Sequence, residues 1–194
     1  MKVVGITGGI GSGKTTVCRI FELLGIPVFN ADAEAKKLYD EPLIRKKTIK
    51  LLGKQILDRK GKIDKKKLAS IVFNDKSSLK KINGLIHPII RQRFLTWRKK
   101  QSGTNYLIKE AAIMIESGAH KYIDYLISIE SFKSLKISRI MKRDKSTDLD
   151  IDKRIREQLS DRERRKYADA IIVNDDRHSL IEQVLKIDRH LSQK

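Results

Sequence analysis

The feature that most constrains this chain is a glycine-rich run that directly follows a short apolar segment. It reads Gly8-Gly9-Ile10-Gly11-Ser12-Gly13-Lys14-Thr15 and matches the pattern G-x-x-x-x-G-K-[ST] without deviation. Glycines at these positions let the backbone turn tightly, so that successive N–H groups point inward and can cradle phosphate oxygens. A helix that begins just after the loop adds its positive N-terminal end. The run therefore predicts a strand, a phosphate-binding loop and a helix, in that order.

Two side chains at the end of this run supply what phosphoryl chemistry needs. Lys14 can reach the β- and γ-phosphates of a nucleoside triphosphate, and the Thr15 hydroxyl can bind Mg²⁺. The sequence thus predicts a nucleotide-binding protein in which Lys14 is catalytic and Thr15 contacts the metal.

Strand and helix patterns alternate along the rest of the chain. A strand–helix–strand crossover joins parallel strands, so the pattern predicts an α/β fold with a doubly wound parallel sheet of about five strands. The strands are expected at 2–7, 27–30, 106–109, 125–130 and 170–173. Helices are expected at 15–24, 31–39, 44–57, 65–73, 77–86, 88–100, 134–143, 153–167 and 179–191.

Charge is distributed unevenly along the chain. The formal net charge is +19, and residues 45–100 hold 19 basic and 3 acidic side chains, whereas residues 1–44 are neutral overall. This distribution predicts a basic module inserted into a near-neutral scaffold. Such a surface suits a nucleic acid, a membrane or a small polyanion, and it is equally typical of lysine-rich helix faces that contact only water.

Other features exclude several classes of protein. No run approaches the ~20 apolar residues of a membrane-spanning helix. The N-terminus lacks the apolar stretch and cleavage site of a secretory signal. A single cysteine, Cys18, excludes an intramolecular disulfide and a cysteine-only metal site. We therefore expect a cytoplasmic protein.

The reaction has to be sought outside the loop, because GTPases, motor ATPases and small-molecule kinases share it. The chain lacks the Asn-Lys-x-Asp run that recognises guanine and is too short for a helicase or motor core, so a compact kinase remains. A kinase that phosphorylates a hydroxyl gains from a carboxylate that takes its proton. Asp32 follows the second strand, at the edge where open α/β sheets bind ligands, and either serves as this base or caps the next helix.

A second candidate region is rich in arginine. Arg139 and Arg143 are spaced i, i+4 on one face of a predicted helix, and further arginines follow a polar, hinge-like stretch at 144–152. Residues 139–167 are predicted to form a lid that closes over ATP. A solvated amphipathic helix with ion pairs to neighbouring acids explains the same pattern.

Several runs together resemble the dephospho-coenzyme A kinase family over nearly the whole chain. Besides the glycine loop, the matching runs are Leu24-Gly25, Asn30-Ala31-Asp32, Ile82-Asn83-Gly84-Leu85-Ile86-His87-Pro88, Arg139 with Met141-Lys142-Arg143-Asp144, Gln158, and Ala168-Asp169-Ala170-Ile171-Ile172-Val173-Asn174-Asp175. The resemblance implies a P-loop NTPase fold similar to that of nucleoside monophosphate kinases. It also implies phosphorylation of the ribose 3′-hydroxyl of dephospho-CoA with ATP and Mg²⁺, the last step of coenzyme A biosynthesis.

The resemblance further implies roles for individual residues. Asp32 would be the catalytic base and contact the substrate, and Arg139 would be a catalytic lid residue. His87 has no neighbouring Ser or carboxylate with which to form a nucleophilic relay, so we expect it to contact the substrate or to have a structural role at the start of a helix. Residues 1–31 and 104–194 would form the nucleotide-binding core, and the helical insertion 32–103 would hold the CoA moiety, a polyanion that suits the basic segment. The implied ATP-binding residues are Gly9, Ile10, Gly11, Ser12, Gly13, Lys14, Thr15, Thr16, Arg139 and Asn174.

Three positions depart from the family pattern. Asn30 replaces the first acid of Asp-Ala-Asp, Ala112 replaces the proline of Pro-Leu-Leu-x-Glu, and Asp176 replaces a glycine. Two alternatives stay open: a kinase of the same scaffold for shikimate or a nucleoside monophosphate, and a nucleic-acid-binding ATPase, which the few aromatic residues of the basic segment disfavour. We expect a monomer or small homo-oligomer with a small-molecule substrate and neither a nucleic-acid nor a membrane partner.

Overall fold

The strands of this protein form one sheet in which all neighbours are parallel. The computed structural model describes residues 1–144, 151 and 155–193. The sheet has the order β2-β3-β1-β4-β5. Its strands are β1 (Lys2–Gly8), β2 (Val28–Asn30), β3 (Tyr106–Glu110), β4 (Tyr125–Glu130) and β5 (Ala170–Val173). The predicted α/β class and five-stranded parallel sheet are confirmed.

Helices and short 3₁₀ turns connect these strands. The α-helices are α1 (Lys14–Leu23), α2 (Ala31–Leu38), α3 (Pro42–Leu52), α4 (Lys65–Asn74), α5 (Lys76–Arg98), α6 (Lys133–Asp144), α7 (Asp161–Arg165) and α8 (Leu180–Ser192). The 3₁₀ turns are Lys54–Ile56 and Ala119–Tyr122. Among the helices that the structure describes, none is both long and apolar enough to span a membrane.

The central strand β1 is buried on both faces. Its Val4 and Ile6 belong to a core cluster that includes residues of α1 and α8. Gly5 faces the other way, toward Met114 and Ile123. Because successive side chains of a strand point to opposite faces, a continuous apolar run is what a sheet covered on both sides requires. This covering holds β1 rigidly at the point where the glycine loop begins.

The chain divides into two compact units. The first comprises residues 1–30 and 101–194, and the second comprises residues 31–100. The first unit contains the whole sheet. The second is helical and contains α2 to α5. That this helical unit holds the substrate, as the sequence predicts for residues 32–103, stays a prediction.

Polar contacts define the helix ends and packing of the second unit. The Asp64 carboxylate accepts backbone N–H groups at the start of α4, and the Asp75 carboxylate does the same for α5. Arg93 of α5 donates to Glu34 of α2 at 3.4 Å and also pairs with Glu41. These ion pairs join α5 to the segment that begins the unit.

The two helices predicted at 77–86 and 88–100 are one helix, so that prediction is wrong. Pro88 lies inside α5, where it removes one backbone hydrogen bond and crowds the carbonyl of Gly84. The buried side chains of α5 recur every four residues and are Ile82, Ile86, Ile90 and Phe94. Burial of this apolar stripe keeps the helix continuous through the proline.

The helices predicted at 44–57 and 153–167 also differ from the structure. α3 ends at Leu52, because Gly53 adopts a φ of 83°. The hinge-like stretch at 144–152, the start of the second helix and part of the proposed lid lie outside the described residues. Beyond them, a new helix, α7, begins after Ser160, which forms a reciprocal capping box with Glu163.

Two glycine substitutions should change stability in opposite directions. Gly84→Ala should raise the free energy of unfolding by about 1 kcal/mol, because Gly84 is an exposed helical position where a Cβ meets nothing within 4 Å. Gly5→Ala should lower it by about 1–3 kcal/mol, since the new Cβ would lie 2.6 Å from Met114 Sδ. Chemical denaturation measures both, and a stabilised Gly5→Ala variant would contradict the packing described for β1.

Candidate nucleotide-binding site

The glycine run forms a closed turn between β1 and α1. β1 ends at Gly8 and α1 begins at Lys14. Within the turn, the Ser12 N–H donates to the Gly9 carbonyl at 3.1 Å. The first N–H groups of α1 have no partner within their own helix and point back toward the loop. The strand–loop–helix arrangement predicted from the sequence is therefore present.

Gly13 has no room for a side chain. Its φ of 95° lies in the left-handed region that favours glycine. A Cβ at this position would collide with the side-chain amide of Asn174. That amide nitrogen donates to the Ser12 carbonyl at 2.8 Å in a buried hydrogen bond. Asn174 directly follows β5, so its side chain ties the end of that strand to the glycine loop.

Lys14, Thr15 and Thr16 form the first turn of α1. Lys14 Nζ donates to the carbonyl oxygens of Gly8 at 2.8 Å and Gly9 at 3.3 Å, so the ammonium group lies against the loop. Thr15 and Thr16 are exposed. Within the described part of the chain, no group of three or more His, Cys, Asp or Glu side chains is arranged to hold a metal. The contact of Thr15 with Mg²⁺ stays a prediction.

Arg139 of α6 is fixed to the segment that follows β5. Its guanidinium donates to Asn174 Oδ1 at 3.1 Å, to the Asn174 carbonyl at 3.3 Å and to Asp176 Oδ1 at 2.6 Å. It also donates to Ser131 Oγ at 3.1 Å. The structure therefore brings two predicted ATP-binding residues, Arg139 and Asn174, into direct contact beside the glycine loop. Their role in binding ATP stays a prediction.

The loop after β5 keeps a glycine-like backbone without the glycine of the family pattern. Asp176 has a φ of 62°, the one positive value at a non-glycine residue in the part of the chain that the structure describes. The preceding carboxylate, Asp175, accepts the backbone N–H groups of His178 and Arg177. These hydrogen bonds, led by that of His178, lower the pKa of Asp175 to about 2. The loop is thus held in shape by its own carboxylates.

Three charged side chains form a buried cluster beside Gly9. Asp161 accepts from Lys136 Nζ at 2.5 Å and from Arg164 Nη2 at 2.8 Å. A Cβ on Gly9 would lie 3.0 Å from Arg164 Nη2 and 3.5 Å from Lys136 Nζ. Burial alone would raise the pKa of Asp161, but the hydrogen bonds from both cations outweigh it and hold that pKa below its usual range. With two cations and one anion, the cluster is positive where it meets the loop.

Gln158 adds an acceptor at the same place. Its side-chain Oε1 accepts the Ile10 N–H of the glycine loop at 2.7 Å. The next residue, Leu159, donates its backbone N–H to Glu116 Oε1 at 3.1 Å. Glu116 is the glutamate that the chain retains where the family pattern has Pro-Leu-Leu-x-Glu, and here it fixes the segment that carries Gln158.

Asp32 and His87 lie in the helical unit. Asp32 is in the first turn of α2, two residues after β2 ends at Asn30, and is half-buried. His87 is half-buried in α5, directly before Pro88. The catalytic role of Asp32 and the substrate contact of His87 stay predictions.

The sequence analysis missed part of this site. The sequence does not single out Lys136, it indicates Asp161 only as one of several acids that could pair with the arginines on a solvated helix, and it does not distinguish Arg164 from the arginines around it. The capping box at Ser160 and Glu163 is a usable signal, because a helix that begins at 161 places Asp161 and Arg164 on one face at i, i+3. Nothing local marks Lys136, which lies 25 residues before its partner Asp161.

Removing the Asn174 amide should loosen the loop. Asn174→Ala leaves the buried Ser12 carbonyl without its donor and should lower the free energy of unfolding by about 1–3 kcal/mol. It should also weaken ATP binding, measured by calorimetry. Asn105→Ala is the matched control, because Asn105 makes the same kind of bond, to the Ser192 carbonyl at 3.0 Å, on the exposed surface. Equal losses in the two variants would contradict the linking role of Asn174.

Comparison with known proteins identifies the family. A family model described as dephospho-CoA kinase matches residues 2–179. A dephospho-CoA kinase from Bacteroides fragilis is 36% identical over 192 residues, which cover 98% of this chain and 93% of the relative.

Solved structures agree with this assignment. A dephospho-CoA kinase from Campylobacter jejuni is 30% identical, with a TM-score of 0.66 over 98% of this chain and 97% of its own. A Thermus thermophilus protein is 25% identical, with a TM-score of 0.86 over 96% of this chain and 95% of its own. The match of sequence and fold over nearly the full length of these proteins shows that this chain belongs to the dephospho-CoA kinase family.

Proposed function

We propose that this protein transfers the terminal phosphoryl group of ATP to the ribose 3′-hydroxyl of dephospho-CoA, giving coenzyme A and ADP, in the cytoplasm. The observation that carries the proposal is the glycine loop with the Lys14 ammonium against it, in a chain of the dephospho-CoA kinase family. The loop supports ATP as the phosphate donor, and membership of the family supports dephospho-CoA as the acceptor.

On the donor side, the loop binds phosphate oxygens through backbone N–H groups and the start of α1. Lys14 exchanges its two carbonyl partners for the β- and γ-phosphates and neutralises charge on the transferred group. Arg139, fixed by Asn174 and Asp176, supplies a further cation for the nucleotide. The loop and Arg139 are held by Asn174 before a nucleotide binds, so we expect little reorganisation of these two parts during the transfer.

On the acceptor side, Asp32 takes the proton of the 3′-hydroxyl. The bond from the 3′-oxygen to the γ-phosphorus forms, and the bond from that phosphorus to the bridging oxygen breaks. The electron pair of the broken bond stays on the β-phosphate of ADP, and the proton goes to the Asp32 carboxylate. Support comes from topology: Asp32 follows the carboxyl end of β2, and the glycine loop follows the carboxyl end of β1, which is parallel to β2 in the same sheet.

Mg²⁺ fits the residues of this site as a companion of the nucleotide. Thr15 is exposed in the first turn of α1, and the described residues provide no acidic cage for a metal. A magnesium ion held by the Thr15 hydroxyl and by phosphate oxygens agrees with this donor set, since Mg²⁺ prefers oxygen ligands and keeps several waters. When bound, the ion would neutralise charge on the β- and γ-phosphates.

The basic segment suits dephospho-CoA because that molecule carries several negative charges on a long chain. Residues 45–100, which lie within the helical unit, hold 19 basic and 3 acidic side chains. A small neutral or singly charged acceptor has no use for such an excess of positive charge. This favours a bulky polyanion over shikimate.

Incubation with ATP, Mg²⁺ and dephospho-CoA should yield coenzyme A, identified by mass. Lys14→Ala should abolish conversion, while Arg19→Ala, an exposed cation on the same helix, should leave it unchanged. Shikimate and nucleoside monophosphates run in parallel as acceptors. If one of these compounds is phosphorylated and dephospho-CoA is not, ATP remains the phosphate donor, but dephospho-CoA is not the acceptor.

Asp32→Asn should lower turnover by at least about 100-fold and leave ATP affinity near its original value, because the variant cannot accept a proton. Steady-state kinetics and calorimetry with ATP measure the two quantities. Asp40→Asn makes the same change at an exposed carboxylate paired with Lys65 and should retain turnover. An Asp32→Asn enzyme of normal turnover would remove Asp32 from the mechanism.

A further inference from the structure

Arg164 is a buried cation whose hydrogen bonds are incomplete. Its side chain is 2% exposed. Nη2 donates to Asp161, whereas Nε and Nη1 are buried and have no hydrogen-bond partner among the residues that the structure describes. An arginine carries five N–H donors, and a buried charge without matching acceptors is strongly unfavourable. A buried guanidinium with spare donors is therefore a site prepared for an anion.

In the part of the chain that the structure describes, the carboxylate that pairs with Arg164 also pairs with a second cation. Asp161 is shared between Arg164 and the Lys136 ammonium, which is also buried. One carboxylate between two cations leaves a net positive charge in a poorly solvated place, where electrostatic attraction is strong. The capping box of Ser160 and Glu163 fixes the turn that carries Asp161.

This charge lies against the phosphate-binding loop. A Cβ on Gly9 would lie 3.0 Å from Arg164 Nη2, a tight contact, so the guanidinium lies close against the backbone of the loop. Next to it, the Ile10 N–H donates to the side-chain oxygen of Gln158 at 2.7 Å. The Ile10 N–H of the loop thus already donates to an oxygen atom, and the cations of Arg164 and Lys136 lie close to the neighbouring Gly9. A phosphate oxygen can replace the amide oxygen at that position.

We propose that Arg164 is a further catalytic residue, which contacts the terminal phosphate of ATP on the Gly9–Ile10 side of the loop, and that Asp161 is a positioning residue that orients it. This inference rests on the proposed phosphoryl transfer and deepens it. The planar guanidinium can offer two parallel N–H bonds to phosphate oxygens. Arg164 stabilises the negative charge that spreads over the phosphoryl oxygens during transfer.

Binding of two nucleotides tests this contact without any acceptor present. ADP lacks the terminal phosphate, and the imido analogue of ATP retains it without being cleaved. Arg164→Ala should weaken binding of the analogue at least about 10-fold, since it removes a charge-assisted hydrogen bond to the terminal phosphate, and should leave ADP affinity within about twofold. Arg162→Ala is the control, because Arg162 lies on the same helix and is exposed.

Kinetics provide a second readout. Arg164→Ala should lower kcat by about 100-fold, the size of effect seen when one donor to a transition state is removed. Because Arg164 is buried, Arg164→Lys is the companion variant: it keeps the charge and most of the volume, and it should lose less turnover than alanine. Equal loss of ADP and analogue affinity in both variants, or unchanged kcat and unchanged analogue binding, would overturn the proposal.

Asp161→Asn tests the positioning role of Asp161 separately from the contact of Arg164 with the phosphate. The variant keeps the shape of the side chain and loses the charge that holds Arg164 and Lys136. It should lower kcat while ADP affinity is retained; a normal kcat would remove the positioning role. If dephospho-CoA proves not to be the acceptor, the comparison of ADP with the analogue still decides the contact of Arg164, so the two proposals fail independently.

Discussion

The hydrogen bond from the Asn174 side chain to the Ser12 carbonyl connects the parts of the nucleotide site. Through its nitrogen, Asn174 holds the glycine loop, and through its oxygens it accepts the guanidinium of Arg139. Segments that are more than 100 residues apart in the chain are thereby fixed to one amide group. The close approach is possible because Gly13 carries no Cβ. Loop conformation, the position of Arg139 and the exit from β5 consequently depend on one another.

Around this loop, carboxylates hold the cations in place, and in one cluster a single carboxylate serves two cations. Arg139 is paired with Asp176 at 2.6 Å, and Lys136 and Arg164 share Asp161. A fully compensated set of ion pairs would have little attraction left for phosphate, whereas uncompensated buried cations would destabilise the fold. When one carboxylate pairs with two cations, it orients both of them and leaves a net positive charge that can attract an anionic ligand. The pairs of Asp161 with Lys136 and Arg164, whose cations are buried, also differ from exposed pairs such as Lys65 with Asp40, which contribute little to stability.

The sequence was most informative where local rules decide the structure. The glycine run, the apolar strands and their parallel arrangement were predictable, because turn chemistry and hydrophobic patterns act over a few residues. The continuity of α5 was not predictable, because burial of its apolar stripe outweighs the helix-breaking effect of Pro88. The contact of Lys136 with Asp161 was not predictable either, because it is made by tertiary packing between α6 and α7. The capping box places Arg164, unlike Arg162, three residues after Asp161 on one helix face, but the burial of Arg164 depends on tertiary packing and has no local signal.

Under the proposed function, the separation of charge along the chain corresponds to two ways of recognising anions. The glycine loop uses backbone dipoles, so residues 1–44 can bind phosphates while remaining neutral overall. Backbone dipoles act over a few ångströms and require an ordered turn, which suits a donor bound in one orientation. Lysine side chains act over longer distances and adapt to a flexible chain of charges. A basic excess confined to residues 45–100 therefore suits the extended polyanionic acceptor that we propose for this protein.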